Sequence, residues 1–325
     1  MKTFEEAWEM LDADERPAII LGNGFSQSWD AKIFNYANLL EVADFGERDK
    51  QIRGLFDKFE TYDFEAVMRA LLGSEYVLEV YAADKDLIAA IKKDQEILKE
   101  ALLKAISASH PELPSQVANE QYQSVRGFLS RFGNIFTVNY DLLMYWARNM
   151  DDIAPVGWNT DDGFRGGRLW KGYGTAQEVH FLHGGLHIYD GYAGVQKHAY
   201  KQAGTSIIEQ VRSNLAENRF PLFVSEPTQQ KKVKRIERNP YLAYCFRELA
   251  EIETSLFIYG HSLDANDQHI FNQVRICSAN KIFVSIYGDE ANEANARVKA
   301  NALAFLSRPD RQIDFFDASS AKVWN

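Results

Sequence analysis

The sequence predicts an α/β fold: a doubly wound, mostly parallel Rossmann-like sheet with a helical insertion between its first two strands. Three observations predict it. Seven short runs, at 18–21, 134–137, 179–182, 222–224, 256–259, 282–286 and 313–316, are rich in Val, Ile, Leu and Phe without polar alternation, as expected of strands buried on both faces. Longer stretches of helical period separate them, and helices between strands imply parallel crossovers. Most runs stop abruptly in Gly, Asn, Ser or Asp, the residues that turn a chain at a strand end.

The first run ends in Gly22-Asn23-Gly24-Phe25-Ser26. An insertion over 38–132 follows, expected to be helical. Asp63 reads as an N-cap ahead of Phe64, Val67, Met68, Leu71 and Leu72, with Gly73 as the stop. Ile88, Ile91, Leu98 and Leu102 recur at helical spacing beside Lys92, Lys93, Glu96 and Lys99, which marks an amphipathic helix with a solvated face. Pro111, Pro114 and Ser115 punctuate the chain before a third helix over 119–132. The second run leads into Asn139-Tyr140-Asp141. Residues 151–175 are rich in Gly, Asp, Asn and Trp and read as a loop-rich excursion. The third run meets His183-Gly184-Gly185, the fourth Ser225-Glu226, the fifth Gly260-His261-Ser262-Leu263-Asp264, the sixth Gly288-Asp289 and the seventh Asp317. No repeat breaks the pattern, so residues 1–325 are expected to form one α/β domain.

Composition narrows the function. Thirty-six Lys and Arg against forty-six Asp and Glu leave a net charge of −10, which repels polyanions and makes nucleic acid an unexpected partner. Cys245 and Cys277 are the two cysteines, too few for a zinc site of four cysteines or of three and a histidine. The start is acidic, with Glu5, Glu6 and Glu9 among Phe4, Ala7 and Trp8, unlike a signal peptide. The apolar runs are far shorter than the roughly 20 residues of a membrane helix. A cytoplasmic protein with reduced thiols is expected.

Ligands of open parallel sheets bind beyond the carboxyl ends of the strands. There, Gly22 and Gly24 are expected to clear space for a pyrophosphate, with Ser26 adding a hydroxyl; a tight turn is the plain alternative. Asp141 suits a cap on the helix starting near Leu142. Asn139, whose amide both donates and accepts, suits a ribose diol or an attacking water. His183 carries a group titrating near neutrality beside two glycines. His180 and His187 do not share with it the spacing of a zinc signature, and no metal is expected. The basic run of Lys231, Lys232, Lys234, Arg235 and Arg238 reads as a solvated face or as a clamp on substrate phosphates.

In order, Gly22-Asn23-Gly24-Phe25-Ser26, Thr137-Val138-Asn139-Tyr140-Asp141, His183-Gly184 and Gly260-His261-Ser262 resemble the signature of the sirtuin-like NAD-binding superfamily. Asn23 stands where that family usually has Ala, and no Pro-Asp-Phe-Arg stretch follows Ser26. Two distant cysteines cannot build the zinc module of the protein-deacylating members. With Asp63-Phe64-Glu65 upstream, the chain is instead similar to the zinc-free bacterial branch of anti-phage defence systems, which hydrolyses NAD. The resemblance implies an NAD nucleosidase with NAD as substrate, giving nicotinamide and ADP-ribose or a cyclic form of it, no metal, and Asn139 and His183 as catalytic residues. It implies NAD contacts from Gly22, Asn23, Gly24, Ser26, Thr137, Asp141, Gly260, His261 and Ser262; Asp289, past the sixth run, is expected at the adenine ribose. A homo-oligomer or a defence-system partner protein is the expected assembly. The alternative is a non-catalytic NAD or ADP-ribose sensor or regulatory subunit.

Overall fold

Strands β1 (Ala18–Leu21), β2 (Ile135–Thr137), β3 (Val179–Phe181), β4 (Gly184–Gly191), β5 (Gly194–Lys197), β6 (Pro221–Phe223), β7 (Leu256–Tyr259), β8 (Lys281–Ile286) and β9 (Gln312–Asp317) divide into two sheets. The computed structural model describes residues 1–30, 39–81, 84–165, 167–174, 177–198, 206–224, 226 and 228–325. The larger sheet is parallel throughout and runs β3-β2-β1-β7-β8-β9. Counted along its own strands this is the order 3-2-1-4-5-6 of a doubly wound fold, and the order reverses between β1 and β7. Ile19 lies opposite Ile135 on one side and Phe257 on the other. Every β1 side chain is at most 3% exposed, and burying each Ile or Leu contributes about 1.5–3 kcal/mol. Those residues therefore specify the middle of the sheet.

The fourth apolar run departs from its expected place. Residues 221–223 form β6 in a separate antiparallel sheet of order β5-β4-β6. The partner of β6, strand β4, leaves the parallel sheet at Gly184, whose φ is +79°. The Gly184 Cα also passes so close to Leu222 that a Cβ there would stand 2.0 Å from the Leu222 carbonyl oxygen. A three-residue apolar run cannot by itself distinguish a parallel from an antiparallel partner.

Between β1 and β2 the described chain is helical, with segments Leu39–Val42, Asp49–Phe59, Phe64–Val80, Lys85–Ser109 and Asn119–Leu129. Gly73 does not stop its helix, which continues to Val80. Glycine in a helix interior costs only about 1 kcal/mol. The helix is also bonded across to Lys85–Ser109: Lys92 reaches Glu75 at 3.2 Å and Glu79 at 3.0 Å, and Gln95 donates to Glu75 at 2.7 Å. The third helix ends at Leu129, three residues short of expectation. Residues 151–158 are tied down by Arg126, which donates to the carbonyls of Ala147, Ile153 and Pro155 and lies over the Trp158 ring. Among the described residues no helix is long and apolar enough to cross a membrane. Both cysteines are free and buried.

Candidate functional site

A cavity of about 1220 Å³ opens beyond the carboxyl ends of all six parallel strands. Gly24 reaches it from β1, Asn139 from β2, His183 from β3, Gly260 from β7, Tyr287 from β8 and Ala318 from β9. At its wall the loops after β1 and β7 meet. The Gly22 N–H donates to the Tyr259 carbonyl at 2.8 Å and the Gly24 N–H to the Gly260 carbonyl at 2.8 Å. A Cβ on Gly22 would stand 2.6 Å from the Gly260 oxygen, and one on Gly24 2.7 Å from the Gly260 Cα. Gly260 itself has φ +66°, a conformation that glycine adopts at little cost. Glycine at 22 and 24 is thus required by a neighbouring loop, where the sequence suggested clearance for a ligand.

The loop after β2 is locked to the same place. Asn139 Nδ2 donates to the Gly22 carbonyl and to Ser26 Oγ, both at 3.0 Å. A carbonyl can only accept, so the amide orientation of Asn139 is determined. Ser26 Oγ donates to Asp141 Oδ2 at 2.5 Å, and Asp141 Oδ1 accepts the Leu143 N–H at 2.8 Å, just ahead of the helix Leu143–Asn149. The Thr137 hydroxyl accepts the Asn139 N–H at 3.1 Å. Burial pushes the Asp141 carboxyl up, and the bonds from Ser26 and Leu143 pull it back. Ser26, Thr137 and Asp141 are buried and outside the cavity lining. They act on the site through Asn139.

His183 is 3% exposed. Its Nδ1 stands 3.5 Å from the Tyr140 hydroxyl and its Nε2 3.1 Å from Nε2 of His269, on the helix Gln268–Ile276. Tyr140 spends its own hydrogen on the Val224 carbonyl at 2.6 Å. Burial holds His183 well below the usual histidine range, with Asp267 opposing. His269 is lowered to about 4 for the same reason. Burial pushes Asp267 up, but His183, Lys232 and His261 outweigh it and keep the carboxyl ionised; Lys232 Nζ donates to Asp267 Oδ1 at 2.7 Å. His261 Nδ1 accepts the Leu263 N–H at 2.9 Å, so its Nε2 carries the proton, 3.7 Å from Asp267. His183, Asp267 and His269 each offer a ligand atom, all within 4.8 Å of one another. A divalent ion would meet the Lys232 ammonium already paired with Asp267.

Of the residues singled out from sequence, Asn23, Gly24, Asn139, His183, Gly260, His261 and Ser262 line the cavity. Gly22 lies behind that lining. Asp289 is exposed and outside it, its carboxylate accepting the Ala291 N–H at 2.9 Å. His180 and His187 sit away from His183 in aromatic packing, His180 on Phe136 and His187 on Tyr145. Ser225 lies outside the described residues. Sequence reasoning missed Asp267 and His269 as neighbours of His183, and it did not separate Lys232 from its basic run. Glu226, noted only as following a strand, lines the cavity with Oε2 buried and unpartnered among the described residues. Burial, with Asp63 adding to it, pushes its carboxyl up to about 7.

Fold and site together define a doubly wound α/β protein with a large cavity at the point where strand order reverses. The chain belongs to the family described as a domain of unknown function, DUF4917, whose model matches residues 19–324. No curated protein matches it. Similar solved structures include Sir2Tm bound to a propionylated peptide, at 11% identity and TM-score 0.39 over 97% of this chain and 93% of that one. Another is reported under the mechanism and regulation of Sir2 enzymes, at 12% and 0.40 over 98% and 92%. A third holds Sir2 with the inhibitor EX-527, 2'-O-acetyl-ADP-ribose and a deacetylated p53 peptide, at 10% and 0.39 over 98% and 94%. At such scores the likeness is remote and transfers no residue role.

Proposed function

We propose that this protein is an NAD hydrolase that cleaves the nicotinamide N-glycosidic bond to give nicotinamide and ADP-ribose, acting in bacterial anti-phage defence by depleting NAD. The observation that carries the reading is that Asn139 and His183 line one cavity at the switch point of the sheet. Its volume of about 1220 Å³ exceeds the roughly 300–1,000 Å³ of ordinary small-ligand pockets and suits a dinucleotide. Lys232, whose ammonium also bonds Asp267 at 2.7 Å, is a cation on the cavity lining within reach of a diphosphate in an acidic protein.

The chemistry asks little of an acid. The nicotinamide ring nitrogen is cationic in NAD, so nicotinamide takes the electron pair of the broken bond with it and departs neutral, with no need of a proton. What must be supplied is a held ribose, while positive charge grows at the anomeric carbon, and a water made nucleophilic on the opposite face. In this reading Asn139 fixes a ribose hydroxyl or the incoming water through its carbonyl oxygen, since its Nδ2 is committed to Gly22 and Ser26. His183 takes the proton of the water or of a ribose hydroxyl, and such base catalysis contributes about 10²–10⁴-fold. Purified protein incubated with NAD and followed by mass spectrometry tests it. Nicotinamide and ADP-ribose should appear, and full activity in both His183→Ala and Asn139→Ala would sink the assignment of roles.

A further inference from the structure

We propose that His269 is a positioning residue for the His183 base: its Nε2 accepts the Nε2 proton of His183 and leaves His183 Nδ1 as the proton acceptor on the cavity side. The proposal rests on the reading of His183 as the base in NAD hydrolysis. The two rings have centroids 5.3 Å apart and planes inclined by only 14°, yet their Nε2 atoms are 3.1 Å apart. They therefore meet edge to edge in nearly one plane, as in an in-line N–H···N hydrogen bond.

A neutral imidazole has one donor and one acceptor, so the direction of that bond decides which nitrogen of His183 is basic. His183 and Tyr140 line the cavity, whereas His269 does not. The Nε2 side of His183 thus faces His269, which is outside the lining, and the Nδ1 side faces Tyr140, which is part of it. At 3.5 Å the Tyr140 hydroxyl is too distant for a strong bond to Nδ1, and its hydrogen is already given to Val224. A proton on Nε2, held by His269, is the arrangement that leaves a lone pair toward substrate. Asp267 completes the device. Its oxygen lies within 4.8 Å of the ligand atoms of both histidines, and Lys232 keeps it ionised.

The step balances. Water attacks the anomeric carbon as the bond to nicotinamide breaks, and the water proton passes to His183 Nδ1. The resulting imidazolium shares its charge through Nε2–H with His269, opposite the Asp267 carboxylate, and releases the proton to solvent once ADP-ribose departs. Nothing else is consumed.

Two measurements test it. Long-range ¹H–¹⁵N spectra of the resting, ¹⁵N-labelled protein should show His183 protonated at Nε2 and bare at Nδ1; the opposite tautomer overturns the proposal. His269→Ala should lower kcat for nicotinamide release about 10–10²-fold with KM changed less than about threefold, the size of effect seen for groups that orient metal-ligating imidazoles. His269→Gln, whose amide oxygen can accept the same proton, should restore kcat to within about tenfold of the parent. Equal losses in both variants, or a rise in KM at constant kcat, overturn it. So does stoichiometric binding of Co²⁺ alone to the parent protein that His269→Ala abolishes, since the cluster would then be a metal site. If His269→Ala does not fold, the spectra and His269→Gln still decide. A parent protein that releases no nicotinamide refutes the hydrolase reading, and the spectra separate that failure by reporting the His183 tautomer whatever the activity.

Discussion

A methyl group on Gly22 would stand 2.6 Å from the carbonyl oxygen of Gly260, and the obstacle is backbone that cannot rotate away. These two residues follow β1 and β7, the strands between which the sheet order reverses, so the clash lies at the centre of the fold. Gly22→Ala is expected to cost about 1–3 kcal/mol or more, the range for forcing extra volume into a packed site. Gly260→Ala should cost at least as much, because it combines a 2.6 Å approach to the Phe25 nitrogen with a φ of +66°. Urea denaturation reads both. Stability within about 0.5 kcal/mol of the parent in either variant would show that the two loops do not pack as described.

The bond between Ser26 and Asp141 gives the second prediction. Ser26→Ala removes the hydroxyl that bonds Asp141 and receives Asn139, leaving a buried carboxylate oxygen unpaired. The expected loss is about 1–3 kcal/mol of stability. Asn139 keeps its bond to Gly22 but loses its second anchor, so nicotinamide release should slow mainly in kcat. Unchanged stability and unchanged kcat together would remove Ser26 from the support of the site.

Much of this was open to sequence reasoning, and the reason is burial. β1, β7 and β8 are covered on both faces, so nearly every residue must be apolar and the run is visible without alignment to anything else. β4 hid because its residues include Gly184, Gly185, His187 and Asp190, a composition closer to a loop than to a strand. The strand-end motifs were visible for the related reason that each follows a visible strand. Their meanings were less so. Gly22 resembles a ligand-clearing glycine until the Gly260 loop is seen pressed against it. His269 is 86 residues from His183 and sits on a helix with no motif of its own. Only the fold, which sets His269 against His183 in the loop after β3, joins them.

Trp324 is the third test. It is 2% exposed, packs on Phe25 with ring centroids 5.3 Å apart, and donates Nε1–H to the Phe25 carbonyl at 2.8 Å, while bounding the cavity. Trp324→Phe keeps most of the packing and removes one of the two hydrogen bonds that the Phe25 carbonyl accepts, the other coming from Ser28 Oγ at 2.8 Å, an expected loss of about 0.5–1.5 kcal/mol. Trp324→Ala should lose about 3–5 kcal/mol and open the cavity wall. Melting of the two variants separates bond from packing. Equal losses would mean that the ring contributes nothing beyond its hydrogen bond.

Glu226 makes stability depend on pH. Its carboxyl is raised by burial, and next by Asp63, from an ordinary 4.5 to about 7. Between those values the folded protein holds a proton that the unfolded chain has released, so folding loses stability as pH rises through the window. At about 1.4 kcal/mol per pH unit the loss attributable to this side chain is at most about 3 kcal/mol, complete above pH 7 and absent below 4.5. Glu226→Gln presents an uncharged group of the same shape and should abolish that part of the slope. It should match the parent near pH 4.5 and exceed it in stability at pH 8. Urea titrations of both proteins across this range read the difference directly, and parallel stability curves would mean that Glu226 is solvated or paired where its Oε2 has no partner among the described residues.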